Sequence, residues 1–233
     1  MFANVGRRNY YIASAANTTS SSNLSFDIQE LVDEYATFAL TSDLFMLLSD
    51  TDKNVVKILS DALQPSNEMF WEETYGEKET ALGLANNCDE ADRALCLKLI
   101  EMEYGPWAIL YGAILHGNKP FIPEVGIKPK GANVYPHDMT KSEFEAAVAV
   151  NPDLKSLYTL VRRDESGGLI SVWYHDIFAG EIAIMTTKLR EAADIALDSG
   201  LATYLRLRAK ALETDEYRES DMAWMDMKKT QSI

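Results

Sequence analysis

Apolar residues recur every three or four positions along most of the chain, and that period gives way to another only once. Ile28, Leu31, Val32, Tyr35, Phe38 and Ala39 fall on one face of a helix that Ser25 caps and Asp27 opens with negative charge. Asp50 to Asp52 interrupts the stripe. Val55, Val56, Ile58, Leu59 and Leu63 resume it as far as Pro65, and a shorter segment carries Met69, Phe70 and Trp71. Asp89 to Tyr104 predicts a further helix, with Leu95, Leu99 and Met102 inward and Gly105-Pro106 as its stop. Thr140 and Glu143 form a capping box ahead of Phe144, Ala147 and Val148, and Asn151-Pro152 closes that helix. From Phe178 a long stripe runs through Ile182, Met185, Leu189, Ala192, Ala193 and Ala196 to a break at Ser199-Gly200. Leu201, Tyr204, Leu205, Ala209 and Leu212 continue it, so the pair is either an antiparallel hairpin or one kinked rod. Ser220 is expected to cap a last amphipathic turn, Met222 to Met227, that carries Trp224.

The period shortens to two between Leu157 and Tyr174. Leu157–Arg163 and Leu169–Tyr174 are rich in Leu, Val, Ile, Tyr and Trp, and Asp164 to Gly168 joins them as a glycine-containing turn. This is a β-hairpin, with Tyr158, Leu160 and Arg162 on one face and Thr159, Val161 and Arg163 on the other. One face is therefore expected to be polar or to line a cleft. Two strands alone are marginal, so the hairpin has to join other strands or pack on helices.

Between the helices and the hairpin lies a stretch with no period, Gly112 to Glu145. Four of the seven prolines sit between Pro120 and Pro136. Proline lacks an amide hydrogen and glycine gives no side chain to pack, so neither helix nor ladder survives there. Yet Phe121, Ile122, Val125, Ile127, Val134 and Tyr135 are interleaved with these breakers, which predicts a loop pinned across a surface by its own apolar anchors. The fold class is α+β and predominantly α-helical, with helices around a long Pro/Gly-rich loop and a small β-hairpin. Residues 1–24 read as a disordered N-terminal tail and residues 25–233 as one mostly helical domain, with no internal repeat.

Composition narrows the function classes. With 36 acidic against 22 basic residues the formal charge is −14, which opposes a nucleic-acid surface. No apolar run is long enough to span a bilayer. Cys88 and Cys96, if both lie on the helix expected from Asp89, are separated by about 12 Å of rise, too far for a disulfide. Two idle thiols fit a reducing, cytoplasmic location. The alternative is an organelle address in residues 1–24, where Arg7 and Arg8 precede a short apolar patch and a Ser/Thr run with no acidic residue before Asp27.

The three histidines are His116, His137 and His175, and two of them form His137-Asp138 and His175-Asp176. A dinuclear hydrolase needs such a dipeptide on a helix with further ligands around it, and none recurs here. Capping and loop hydrogen bonds are the expected roles. Adjacent Glu72 and Glu73 diverge by about 100° on a helix and read as a solvated face. HExxH, GxSxG, P-loop and GxGxxG motifs are all missing, and nothing in the sequence marks either cysteine as a nucleophile.

Longer segments carry a resemblance. Tyr104-Gly-Pro-Trp107, Lys119-Pro-Phe-Ile-Pro123, Pro129-Lys-Gly-Ala-Asn-Val-Tyr-Pro136 and Asp138-Met-Thr-Lys-Ser-Glu-Phe-Glu145 resemble the N-terminal half of bacterial proteins of the dipeptidyl-peptidase III family of zinc metallopeptidases. The likeness continues through Tyr158 to Arg163, Tyr174-His175, Arg208 to Leu212 and Ser220 to Asp226, and covers roughly residues 65 to 228. It implies a two-lobed enzyme that cuts dipeptides from peptide N-termini, with zinc held by an HExxGH helix and a later glutamate-bearing helix. Neither motif occurs in this sequence, so the resemblance assigns no catalytic and no metal residue. It implies an N-terminal lobe or truncated relative, inactive alone and without a cofactor of its own. Its partners would be a peptide substrate or a missing C-terminal zinc-binding lobe. The alternative is a stand-alone helical module that binds a peptide or protein. In either case Tyr135, Arg163 and Tyr174 are the candidates for lining a peptide cleft.

Overall fold

The computed structural model describes residues 28–33, 43–108 and 119–227. The expected tail, the Ser25 cap, the later turns of the first helix, and residues 109–118, which include the start of the long loop, lie outside the described residues. The chain divides into two compact units, residues 1–39 with 71–133, and 40–70 with 134–233. No helix among the described residues is long and apolar enough to cross a membrane.

The first unit contains α1 (Ile28–Asp33), the end of α4 (Ser66–Thr74), α5 (Lys78–Gly83), a 3-10 turn (Leu84–Asn87) and α6 (Arg93–Glu103). Ile28, Leu31, Val32, Trp71, Leu99, Ile100, Phe121 and Ile122 are buried together as its core. Tyr104 ends α6 in the left-handed conformation, and its ring lies 5.4 Å from that of Trp71. The Pro/Gly segment is pinned here much as its apolar residues predict. Phe121 and Ile122 are buried, whereas Ile127 is exposed. Phe121 N donates to Pro106 O at 2.9 Å, Trp107 Nε1 to Gly126 O at 2.8 Å, and Asn87 Nδ2 to Pro123 O at 3.2 Å. At the segment's far end Asn133 N donates to Glu73 O at 2.9 Å and Asn133 Nδ2 to Glu72 O at 2.7 Å. A Cβ at Gly76, where φ is +103°, would meet Asn133 at 3.1 Å, so glycine serves both the turn and the close approach.

The cysteines correct the sequence reading. Cys88 and Cys96 are joined in a disulfide with a Cα–Cα distance of 6.8 Å. The helical rise that excluded this bond assumed one continuous helix, but α6 begins only at Arg93. Cys88 ends the 3-10 turn in an extended conformation, and a turn closed by Asp92 N to Asp89 O brings the chain back. The location argued from two free thiols loses that support, because such bonds persist in oxidising surroundings.

The second unit contains α2 (Asp43–Leu47), α3 (Asp50–Leu63), the start of α4, α7 (Lys141–Val150), a 3-10 turn (Pro152–Lys155), β1 (Thr159–Arg163), β2 (Leu169–Trp173), α8 (Tyr174–Ile177), α9 (Ala179–Ile195), α10 (Ser199–Thr214) and α11 (Arg218–Asp226). Asp50 to Asp52 proves to be the first turn of α3, capped by Ser49 Oγ accepting from Asp52 N. Acidic residues suit the positive end of a helix dipole, which a reading by apolar period alone treats as a gap. The capping box at Thr140 and Glu143 forms as expected. Ion pairs Arg190–Glu213 and Arg206–Asp194 run α9 and α10 antiparallel, which settles the hairpin over the kinked rod. Val55, Ile58 and Ala62 of α3 pack with Leu189, Ala192, Ala193, Leu205 and Ala209 of that pair. Ser220 is not a cap: α11 starts two residues earlier, and Ser220 is buried inside it with Oγ donating to Tyr217 O.

The hairpin is antiparallel, pairing Thr159 with Trp173 and Arg163 with Leu169. Val161 N donates to Val134 O, so the end of the Pro/Gly segment occupies the outer edge of β1. Leu160 packs with Phe178, Ile182, Met69 and Leu212, and Thr159 and Val161 on the opposite face are buried too. The polar face expected along the hairpin is confined to its Arg162–Arg163 end.

The disulfide supports the first prediction. It closes a loop of sequence separation 8, and a loop of that size is worth about 2–3 kcal/mol by chain entropy. The Cys88→Ser, Cys96→Ser protein should unfold at lower denaturant by that amount, and the native protein should show no titratable thiol until reduced. Equal stability of the two proteins would refute it.

Candidate functional site

Polar contacts gather at the two ends of the hairpin. At the turn end, Arg163 reaches back to the loop and to α7. Its Nε donates to Asp138 Oδ1 and Oδ2, both at 3.0 Å; Nη1 donates to Glu143 Oε1 and to Gly167 O, both at 2.7 Å; and Nη2 donates to Glu143 Oε2 at 3.2 Å. All three nitrogens are engaged, in the forked geometry for which guanidinium is suited. Arg163 holds both carboxyls below the usual carboxylate range, chiefly through these hydrogen bonds. Glu143 also completes the capping box of α7, so one arginine joins a strand, a loop and a helix N-terminus.

At the open end, Tyr174 N donates to Tyr158 O and α8 begins. His175 there meets Asp215, the residue that ends α10 with φ +56°. Asp215 Oδ2 accepts from His175 N at 3.2 Å and lies 2.7 Å from His175 Nδ1. An ionised carboxylate only accepts, so beside it Nδ1 carries a proton and Nε2 is the ring nitrogen with its lone pair available. Nε2 lies 3.6 Å from Asp176 Oδ1, beyond hydrogen-bond range. The Asp215 side chain is 1% exposed and its Oδ1 has no hydrogen-bond partner. Alongside, Tyr217 stacks on Tyr158, and Arg208 lies over the rings of Tyr204 and Tyr217 while donating to Asp221 at 2.6 Å. Burial, with the Asp215 carboxylate adding to it, pushes the Tyr217 phenol up to about 12.

The three sequence candidates are distributed between these ends. Tyr135 sits edge-on to Phe144 of α7, on the Arg163 side. Tyr174 packs edge-on against Phe178 at the other end, about 16 Å from Arg163 at the rise of a strand. Sequence reasoning missed Asp215 altogether; the one available signal was an aspartate directly after a helical stripe, where the left-handed conformation favours Asp and Asn. No group of three or more His, Cys, Asp or Glu suited to a metal occurs among the described residues. A catalytic zinc needs about three protein ligands, so these residues do not fit the zinc of the resembling family.

Comparison with known proteins follows the same lines. No protein-family profile matches the chain. Nudix hydrolase 3 of Arabidopsis thaliana is 28% identical over 125 residues, 43% of this chain and 16% of that protein. Among solved structures, dipeptidyl-peptidase III from Caldithrix abyssi is 31% identical with a TM-score of 0.69, over 78% of this chain and 34% of that one. The enzyme from Corallococcus sp. strain EGB is 27% identical with a TM-score of 0.74, over 87% of this chain and 37% of that one. The chain is similar in sequence and fold to these bacterial dipeptidyl-peptidase III structures. It spans about a third of the length of those dipeptidyl-peptidase III structures.

The Arg163 clamp makes stability sensitive to acid. Depressed carboxyl pKa values in the folded state mean that the unfolded chain takes up protons first as pH falls. The stabilisation is therefore complete above the ordinary carboxylate range of about 4 and is lost on acidification through and below it. Arg163→Met should melt several degrees lower at neutral pH and lose less on going from about pH 5 to pH 2 than the parent protein. Thermal melts across that range measure both, and parallel curves would remove Arg163 from the role.

Proposed function

We propose that this chain is the N-terminal, zinc-free lobe of a dipeptidyl peptidase, which releases dipeptides from peptide N-termini, and that it is inactive by itself. The observation that carries the reading is the match to two bacterial dipeptidyl-peptidase III structures over 78–87% of this chain but 34–37% of theirs. Peptide hydrolysis at neutral pH in such an enzyme depends on a metal-activated water. The chemical step is then assigned to a zinc-bearing lobe as partner, and holding the peptide to this one. Exposed apolar side chains on α11 support the need for a partner: Met222, Trp224 and Met225 are 51%, 60% and 67% exposed. Tyr135, Arg163 and Tyr174 are the residues proposed toward the peptide, with Arg163 acting through the loop it clamps rather than through a free guanidinium.

The purified chain, supplied with zinc and a chromogenic dipeptidyl substrate, should release no product. Release that a chelator abolishes would overturn the assignment of the chemistry to a partner lobe.

A further inference from the structure

His175-Asp176 stands out in the sequence, and the peptidase reading gives its two side chains no role. Its geometry is that of two donors awaiting one ion. Bonds of about 2.0–2.2 Å to a tetrahedral cation place its donor atoms about 3.4 Å apart, and His175 Nε2 and Asp176 Oδ1 are 3.6 Å apart. Nε2 makes no hydrogen bond, whereas Nδ1 is held by Asp215 at 2.7 Å. A carboxylate on the far nitrogen is the usual outer support of a metal-bound imidazole, because it sets the tautomer and raises the basicity of the donor. Asp215 is buried, with one oxygen lacking a hydrogen-bond partner, at the C-terminal, negative end of α10. Trp173 stacks on the His175 ring at 6.1 Å and 24°, which limits the ring's rotation.

We propose that His175 and Asp176 form a two-donor surface site for a late first-row divalent cation, with Asp215 as the positioning carboxylate and water completing the coordination. Imidazole with a single carboxylate selects Cu²⁺, Ni²⁺ and Zn²⁺ over Mg²⁺ and Ca²⁺, and Cu²⁺ binds tightest of the series. The site is independent of the proposed peptidase chemistry, since it offers two protein donors and not three.

Cu²⁺ titration of the full 233-residue chain tests it, in a His116→Ala, His137→Ala background that leaves His175 as the sole imidazole. Paramagnetic quenching of tryptophan fluorescence, to which Trp173 beside the site contributes among four tryptophans, should saturate at one ion per chain, with the hyperfine signature of one imidazole nitrogen in the electron paramagnetic resonance spectrum. Zn²⁺ should compete and Mg²⁺ should not. His175→Ala should abolish the saturable phase. Asp215→Asn should weaken it about 10- to 100-fold. Asp176 is two-thirds exposed, so Asp176→Asn keeps the fold and should weaken binding at least tenfold even if the Asp215 variant fails to fold. Non-saturable quenching, or saturable quenching that survives His175→Ala, overturns the site. Quenching lost in His175→Ala but unchanged in Asp176→Asn overturns the two-donor assignment.

Discussion

Backbone groups that are buried must be paired, and the proline-rich segment from Lys119 to Thr140 forms no ladder of its own, only short turns such as Ala132 N to Pro129 O and Met139 N to Pro136 O. Its fastening to the rest of the chain comes from bonds to neighbours. In the first unit Phe121 borrows the carbonyl of Pro106, just past α6, and Asn133 borrows that of Glu73 in α4. In the second, Val134 lends its carbonyl to Val161 on the outer edge of β1. The unit boundary falls inside this segment, between Asn133 and Val134. Each borrowed bond fixes an element end that apolar packing alone leaves free to slide. This resolves the difficulty of a two-stranded sheet: β1 gains a backbone partner on its outer edge, and Leu160 gains the helices of the second unit.

Arg163 shows how a residue chosen for its chemistry is claimed by this arrangement. A cation near a cleft is an attractive ligand for a peptide carboxylate, but a guanidinium with two carboxylates and a carbonyl on its three nitrogens has no open face. A new acceptor would have to displace one that already fits. The arginine instead fastens the loop at Asp138 to α7 and to the hairpin turn, and any influence on a bound peptide passes through the position of that loop.

Local signals were legible in the sequence and distant ones were not. The capping box at Thr140, the stop at Gly105, the stripe of α9 and the hairpin turn depend on residues within four positions of one another, where spacing is information. A short interruption hidden by composition defeats a local reading. Asp89 to Asp92 is as polar as an exposed helical turn, so apolar period extends α6 backwards over it, and the rise that excludes the disulfide does not exist. Asp50 to Asp52 reads as a break yet opens α3, and Ser220 reads as a cap yet is buried inside α11. The His175–Asp215 contact spans 40 residues, and no period in a single sequence records which helix end returns to which strand end.

The two hairpin ends also separate two uses of a carboxylate. Asp138 and Glu143 are partly solvated and fully matched by one arginine, so they work as joints, and their removal together with the arginine would leave no buried charge behind. Asp215 differs in kind. It is enclosed, bound on one oxygen only, and sits where the helix dipole already supplies negative charge. A group so placed is costly unless positive charge approaches through the ring it holds. The structure thus places its matched carboxylates where the loop must be fastened, and its unmatched one behind an imidazole whose other nitrogen has its lone pair available.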